Sequence, residues 1–105
     1  SLILMDEPFS SLDAQTKEIM QEELLELWQQ KQSTVLFITH DLEEAVFLSD
    51  EVLVMGTQPG RVIRRHEIEF ERPRSRSLRN NPDFNAKVEQ LWSELEDEVQ
   101  KTIQM

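Results

Sequence analysis

The sequence predicts an α/β fold: a mostly parallel sheet with flanking helices, a late β-hairpin and a C-terminal helix. Two observations predict it. Short apolar runs alternate with segments of helical periodicity, and a cluster of turn residues separates the last two runs. The expected element order is β-α-β-α-β-β-α. Because strands that alternate with helices form right-handed crossovers, the first two strands are expected to lie parallel.

The first strand is predicted from Leu2 to Met5, a continuous apolar run of the kind found in strands buried on both faces. A turn follows over residues 8–11. Asp13 is predicted to cap a helix over about residues 14–32, because apolar side chains recur there at helical spacing: Met20, Leu24, Leu27 and Trp28. Ser33 is expected to break this helix.

The run TVLFIT at residues 34–39 predicts a second buried strand, and His40 stands at its end. Asp41 then starts a second helix. Glu44 lies three residues later, which makes an Asp-x-x-Glu variant of the capping box. The helix is expected to end near Ser49, and EVLVM at residues 51–55 predicts a third strand.

Residues 56–60 (GTQPG) predict a turn, and residues 61–70 alternate as a fourth strand. An arginine-rich linker is predicted over residues 71–81, irregular because of Pro73. Asn81-Pro82 is a cap followed by proline at the first helical position. The amphipathic helix over residues 82–105 is expected to pack one stripe against the domain: Val88, Leu91, Trp92, Leu95 and Val99.

The net charge limits the classes of partner that the chain can bind. The 105 residues carry a net charge of −10, which disfavours a general nucleic-acid binder because phosphates would repel the chain. The basic residues are concentrated: seven arginines against three glutamates lie between Arg61 and Arg79. Two interpretations stay open for this net +4 segment. It is a solvated hairpin and linker that offsets acidic neighbours, or a docking surface for an acidic partner or anionic lipid.

Two strands end in residues capable of chemistry. Asp6 and Glu7 follow the first strand and His40 follows the second, where open α/β sheets bind ligands. Side chains alternate along a strand, so the two acids cannot share one role. One could hold Mg²⁺ while the other polarises a water for attack on a phosphoryl group. The alternatives are a turn with helix-start charge for the acids, and a structural role for His40.

"LILMDEPFSSLD" followed by "TVLFITHDLEEAVFLSDEVLVM" resembles the second half of an ABC transporter ATPase, a P-loop NTPase domain. The resemblance implies ATP and Mg²⁺ as cofactors. It matches residues 2–7 to the Walker B strand, with Asp6 engaging Mg²⁺ through water and Glu7 as the general base. It matches His40 to the switch histidine that contacts the γ-phosphate. It matches Ser11, Leu12 and Asp13 to the D-loop, which crosses the interface between two nucleotide-binding domains.

The motif G-x-x-x-x-G-K-[ST] is absent, because Gly56 and Gly60 are three residues apart and Arg61 follows. We therefore expect residues 1–70 to be the C-terminal part of an ATPase domain that is inactive by itself. The tail, PGRVIRRHEIEFERPRSRSLRNNPDFNAKVEQLWSEL at residues 59–95, resembles the end of the nitrate, sulfonate, taurine and bicarbonate importer group. That implies a second ATPase subunit and transmembrane permease subunits as partners, no nucleic acid, and a peripheral place on the cytoplasmic face of the inner or plasma membrane. The alternatives are a non-transport ABC-type ATPase and an inactive, truncated interaction module.

Overall fold

A computed structural model describes residues 2–56 and 59–104. The elements in chain order are β1 (Leu2–Asp6), α1 (Ala14–Lys31), β2 (Thr34–Ile38), α2 (Leu42–Leu48), β3 (Glu51–Gly56), β4 (Arg61–Glu67), a 3-10 helix (Arg76–Asn80) and α3 (Pro82–Gln104). The expected order is confirmed, with two corrections. β4 ends before Phe70, and part of the linker is helical rather than irregular. The expected turn at residues 56–60 lies partly outside the described residues.

The first two strands pair in parallel, as expected. Leu2 lies opposite Thr34 and Asp6 lies opposite Ile38, so both strands end at the same edge of the sheet. The crossover helix α1 begins where the sequence predicts, because a carboxylate oxygen of Asp13 accepts a hydrogen bond from the Thr16 amide at 2.8 Å.

The four strands form two separate two-stranded sheets, so the expectation of one mostly parallel sheet is wrong. β3 and β4 pair antiparallel as a hairpin, and neither hydrogen-bonds to β1 or β2. The connection from β2 to β3 contains α2, a helix of seven residues that packs against both α1 and α3.

The expectation that β1 and β2 are buried on both faces is also wrong. Side chains alternate between half-buried and exposed along both strands. Trp28 of α1 meets Phe37 edge-on at 6.2 Å between ring centroids, so α1 covers one face. On the other face Leu2 is 70% exposed and Leu4 is 63% exposed. This apolar surface continues across β2 through Leu36 and Ile38.

The core centres on α2. Val46 and Phe47 are fully buried, and Leu25 of α1 packs in the same cluster. The stripe that α1 buries differs from the apolar repeat in its sequence: Gln21 is 1% exposed, whereas Met20 and Leu27 lie toward solvent. A polar side chain thus takes a central position in this helix, because it has hydrogen-bond partners there.

The C-terminal helix forms as expected, but the packed stripe is partly wrong. Leu91 and Phe84 are fully buried, and Val88 and Leu95 pack against the core. Trp92 is 56% exposed and Val99 is 55% exposed, against the prediction that both pack on the domain.

Two pairs of polar side chains explain the orientation of α3. Glu94 contacts the buried His66 at 2.8 Å, and Glu98 accepts from Arg61 at 2.7 Å. Both partners lie on β4. The helix therefore turns these acids toward the hairpin, and Trp92 is rotated out of the contact.

Candidate active site

Glu7 stands directly beyond β1, in a constrained position. Its amide donates to the carbonyl of Ile38 at 2.8 Å, which extends the parallel pairing by one bond. Its φ is 46°, in the left-handed region. That conformation costs a non-glycine residue about 1–3 kcal/mol and is concentrated at functional sites. Glu7 therefore has a backbone conformation that residues other than glycine adopt uncommonly.

Glu7 and His40 contact each other. Oε1 of Glu7 meets Nδ1 of His40 within hydrogen-bonding distance. The glutamate side chain is 35% exposed, while the imidazole is 83% exposed. In this geometry a proton carried on Nδ1 of His40 is donated in a hydrogen bond to the carboxylate of Glu7. The structure therefore brings together the two side chains that the sequence singles out from different strands.

These side chains border a cavity of about 300 Å³. It lies at the carboxyl ends of β1 and β2, where ligands of α/β sheets bind. Its other walls come from the loops after the strands and from the starts of α1 and α2. The lining residues are Glu7, Ser10, Lys17, Thr39, His40, Asp41 and Glu44.

Lys17 brings a cation to this acidic cavity, and sequence reasoning missed it. Its ammonium group lies 3.3 Å from a carboxylate oxygen of Asp41, across the gap between α1 and α2. The signal was available. Lys17 follows Asp13 by four residues, which places it one helical turn beyond the cap of α1.

Only one of the two hydrogen bonds of the capping box expected at the start of α2 is formed. Asp41 accepts from the Glu44 amide at 3.2 Å, as expected. The reciprocal bond is replaced, since the Asp41 amide donates to the Thr39 hydroxyl at 3.0 Å. The carboxylate of Glu44 is 3% exposed and accepts instead from Gln21 of α1 at 2.8 Å. The side chain that would complete the cap joins two helices instead.

The remaining predicted site residues lie outside the cavity. Asp6 is the last residue of β1 and is exposed. Ser11 is exposed, Leu12 packs against the core, and Asp13 caps α1. The Thr16 amide lowers the pKa of Asp13 below its ordinary value of 3.8, because its hydrogen bond favours the charged carboxylate.

The carboxylates at this edge offer few ligands for a metal ion. Within residues 2–56 and 59–104, no group of three His, Asp or Glu side chains is placed to hold one. Asp6 is an exposed carboxylate, and Glu7 is engaged with His40. Mg²⁺ at nucleotide sites usually keeps several waters and takes one or two carboxylates beside the phosphates. The single carboxylate of Asp6 fits that donor set.

The relatives found by comparison with known proteins are ATP-binding proteins. No family model matches the chain. An ABC transporter ATP-binding protein of Methanocaldococcus jannaschii is 45% identical over 102 residues, which are 97% of this chain and 37% of the relative. The taurine import ATP-binding protein TauB of Shigella flexneri is 45% identical over 97 residues, covering 88% of this chain and 38% of TauB. The chain thus spans less than two-fifths of the length of either relative.

Proposed function

We propose that this chain, which is related to the ATP-binding proteins of ABC transporters, is the C-terminal part of the ATP-hydrolysing subunit of a bacterial importer. The contact between Glu7 and His40 at the paired ends of β1 and β2 carries the proposal. It places a carboxylate and an imidazole at one cavity, which is what activation of a water beside a phosphate requires.

Glu7 acts as the general base in this proposal. Its carboxylate is partly screened from solvent and borders the cavity. It accepts a proton from the water that attacks the terminal phosphate. His40 donates to Glu7 from Nδ1, which leaves Nε2 of its exposed ring to meet the phosphate or the water.

Asp6 would hold Mg²⁺ through a water. When bound, the ion neutralises charge on the phosphate oxygens. Asp6 and Glu7 then have separate roles, because Glu7 lines the cavity and contacts His40, whereas Asp6 does not line the cavity. The exposure of Asp6 leaves it open to a hydrated ion.

Ser11, Leu12 and Asp13 are proposed to act on a second copy of the ATPase subunit. Ser11 and Asp13 are exposed and do not line the cavity of their own chain. Side chains placed in this way suit an interface that completes the nucleotide site of a neighbouring subunit. Leu12, which packs against the core, would anchor the loop.

The solute class follows from the relatives and the tail. TauB is named for taurine import, and the tail of this chain resembles the same importer group. We therefore propose that the transported solute is an anion such as taurine, another sulfonate, nitrate or bicarbonate. It would cross the membrane through permease subunits, and the ATPase subunit would lie at the cytoplasmic face. In the part of the chain that the structure describes, no helix combines the length and apolarity needed to cross a bilayer.

The chain is proposed to lack part of its nucleotide site. It has no P-loop motif, and its relatives are more than twice as long. The exposed face that carries Leu2, Leu4, Leu36 and Ile38 supports this proposal, because contiguous apolar surface usually marks a contact. We expect the 105-residue chain alone to bind no ATP.

The proposal is tested in the full-length protein that contains this chain. Glu7→Gln keeps the shape of the side chain but cannot accept a proton, so kcat should fall about 10²- to 10⁴-fold with ATP binding retained. Glu43→Gln is the matched control, since Glu43 is an exposed glutamate of α2 outside the cavity lining. Wild-type turnover by Glu7→Gln would remove Glu7 from the role of base.

A further inference from the structure

A buried series of hydrogen-bonded polar side chains runs from the 3-10 helix that precedes α3 to the wall of the cavity. Gln21 of α1 is in its middle and is 1% exposed. Its Nε2 donates to Glu44 at 2.8 Å, and its Oε1 accepts from Nη2 of Arg79. Arg79 belongs to the 3-10 helix that precedes α3. Three elements distant in sequence are therefore joined through one amide.

The amide suits this position because it both donates and accepts. Buried polar groups without partners cost free energy, and buried charges cost more. Gln21 presents a donor to the carboxylate of Glu44 and an acceptor to the guanidinium of Arg79. A hydrocarbon side chain of the same size would leave both charges without this partner.

Arg79 is held in place by further contacts. Its guanidinium lies 4.0 Å from the centroid of the Phe47 ring in α2, and its Nε lies 3.8 Å from Glu18 of α1. Its side chain is only 12% exposed. Among the described residues, its Nη1 is buried and has no hydrogen-bond partner. The protein keeps a cation here at a cost in desolvation.

This series of contacts ends at the sheet edge that carries Glu7 and His40. Glu44 lines the cavity with Glu7 and His40. It lies in the first turn of α2, which begins directly after His40 and its neighbour Asp41. The first turn of α2 is therefore held by α1 at two points, one at the cavity and one buried: Lys17 to Asp41 and Gln21 to Glu44.

We propose that Arg79 and Gln21 are positioning residues of the ATPase site. They hold Glu44, and through it the start of α2, so that His40 stays against Glu7. The inference rests on the proposed function. It assigns the arginine-rich segment a role in catalysis through contacts inside the subunit, although that segment does not line the cavity.

The test compares two arginines of the same 3-10 helix in the full-length protein. Arg79→Met keeps an apolar contact with Phe47 but removes the donor to Gln21. Arg76→Met is the matched control, because Arg76 is 59% exposed and pairs with Glu22 on the surface of α1. We expect Arg79→Met to lower kcat about tenfold or more with little change in KM for ATP, since small misplacements at a site have effects of that size. Arg76→Met should keep wild-type kcat.

A second readout does not depend on activity. The ring signals of His40 in ¹H–¹³C NMR spectra should shift in Arg79→Met and stay in place in Arg76→Met. If the wild-type protein hydrolyses no ATP, the proposed function fails, while these signals still decide whether Arg79 positions His40. Unchanged His40 signals together with wild-type kcat would overturn the inference.

Arg79→Lys is a second variant that keeps the test valid if Arg79→Met does not fold. Lysine keeps the charge, but its single ammonium cannot both lie flat on Phe47 and reach Gln21 as the planar guanidinium does. We expect a folded protein with reduced kcat and shifted His40 signals. A folded Arg79→Lys protein with wild-type kcat and unshifted signals would show that Arg79 only stabilises the fold.

Discussion

The orientation of α3 can be tested by truncating two adjacent side chains, Leu91 and Trp92. Leu91 is fully buried, whereas Trp92 is 56% exposed. Removing a buried leucine side chain costs about 2.7 to 5 kcal/mol, the transfer term plus the cavity term. Removing a side chain at the surface usually costs about 0.5 kcal/mol or less. Because a little under half of the Trp92 side chain is covered, roughly 90 Å² at about 25 cal/mol per Å² sets an upper value of about 2 kcal/mol for Trp92.

The assay is thermal unfolding of the full-length protein, followed by circular dichroism. In a domain of the size of the full-length protein, a loss of 1 kcal/mol in the free energy of unfolding lowers Tm by about 2 to 4 °C. Leu91→Ala should therefore lower Tm by about 5 to 20 °C, and Trp92→Ala by less than about 8 °C. An equal or larger loss in Trp92→Ala would refute the orientation of α3 and restore the stripe that the sequence predicts.

Two further perturbations test local geometry. Gly56→Ala places a Cβ 2.9 Å from Oε1 of Glu98, the end of a flexible side chain that pairs with Arg61. Because that pair must shift, we expect a loss of about 1 kcal/mol or less in urea unfolding, whereas Gly60→Ala, with nothing within 4 Å, should cause none; equal midpoints would contradict the close approach. Because the Thr16 amide lowers the folded pKa of Asp13, the charged cap stabilises above the ordinary value of 3.8 and is lost as pH falls through the lowered pKa. The Tm advantage of wild type over Asp13→Ala should therefore be full at neutral pH and vanish in acid, and a constant advantage would exclude the charge as its source.

The edge that carries Glu7 and His40 could be predicted from the sequence because it depends on local signals. The apolar runs predict β1 and β2, the Asp13 cap predicts α1 between them, and a helical crossover makes the strands parallel. Parallel pairing then puts Glu7 and His40 at one edge without any knowledge of the tertiary structure. The contact between them follows from the register of the two strands.

The face that α3 buries could not be predicted in the same way. Spacings of three and four residues fit both the stripe through Trp92 and the stripe through Phe84. The choice depends on Glu94 and Glu98, which pair with residues of β4 far away in sequence. Hydrophobic periodicity contains no information about such long-range pairs. Gln21 was missed for the same reason, because a polar residue on a helix is usually exposed.

The arginine-rich segment illustrates what composition cannot decide. Its charges suggested either a solvated linker or a docking surface, yet Arg74 is 6% exposed. Its guanidinium donates to carbonyls at the end of α2, at 3.1 Å for Phe47 and 2.6 Å for Ser49, and to the Phe70 carbonyl at 2.9 Å. The last carbonyls of a helix lack partners within the helix and carry partial negative charge. Arg74 supplies both the donors and the positive charge.

The burial of Arg74 has an electrostatic cost that its hydrogen bonds offset. Desolvation, with the nearby charge of Arg72, lowers the pKa of Arg74 to about 10, and Asp50 opposes the shift. The guanidinium therefore stays charged at neutral pH. Arg72 supports the same helix end by donating to the Leu48 carbonyl at 2.8 Å. Two arginines of the linker thus hold the C-terminal end of α2, while Arg79 acts through Gln21 on its first turn. Three arginines of the net +4 segment therefore hold elements of the subunit together. Arg65 and Arg76 instead pair at the surface with Glu51 and Glu22, which fits the interpretation of a hairpin and linker that offsets acidic neighbours.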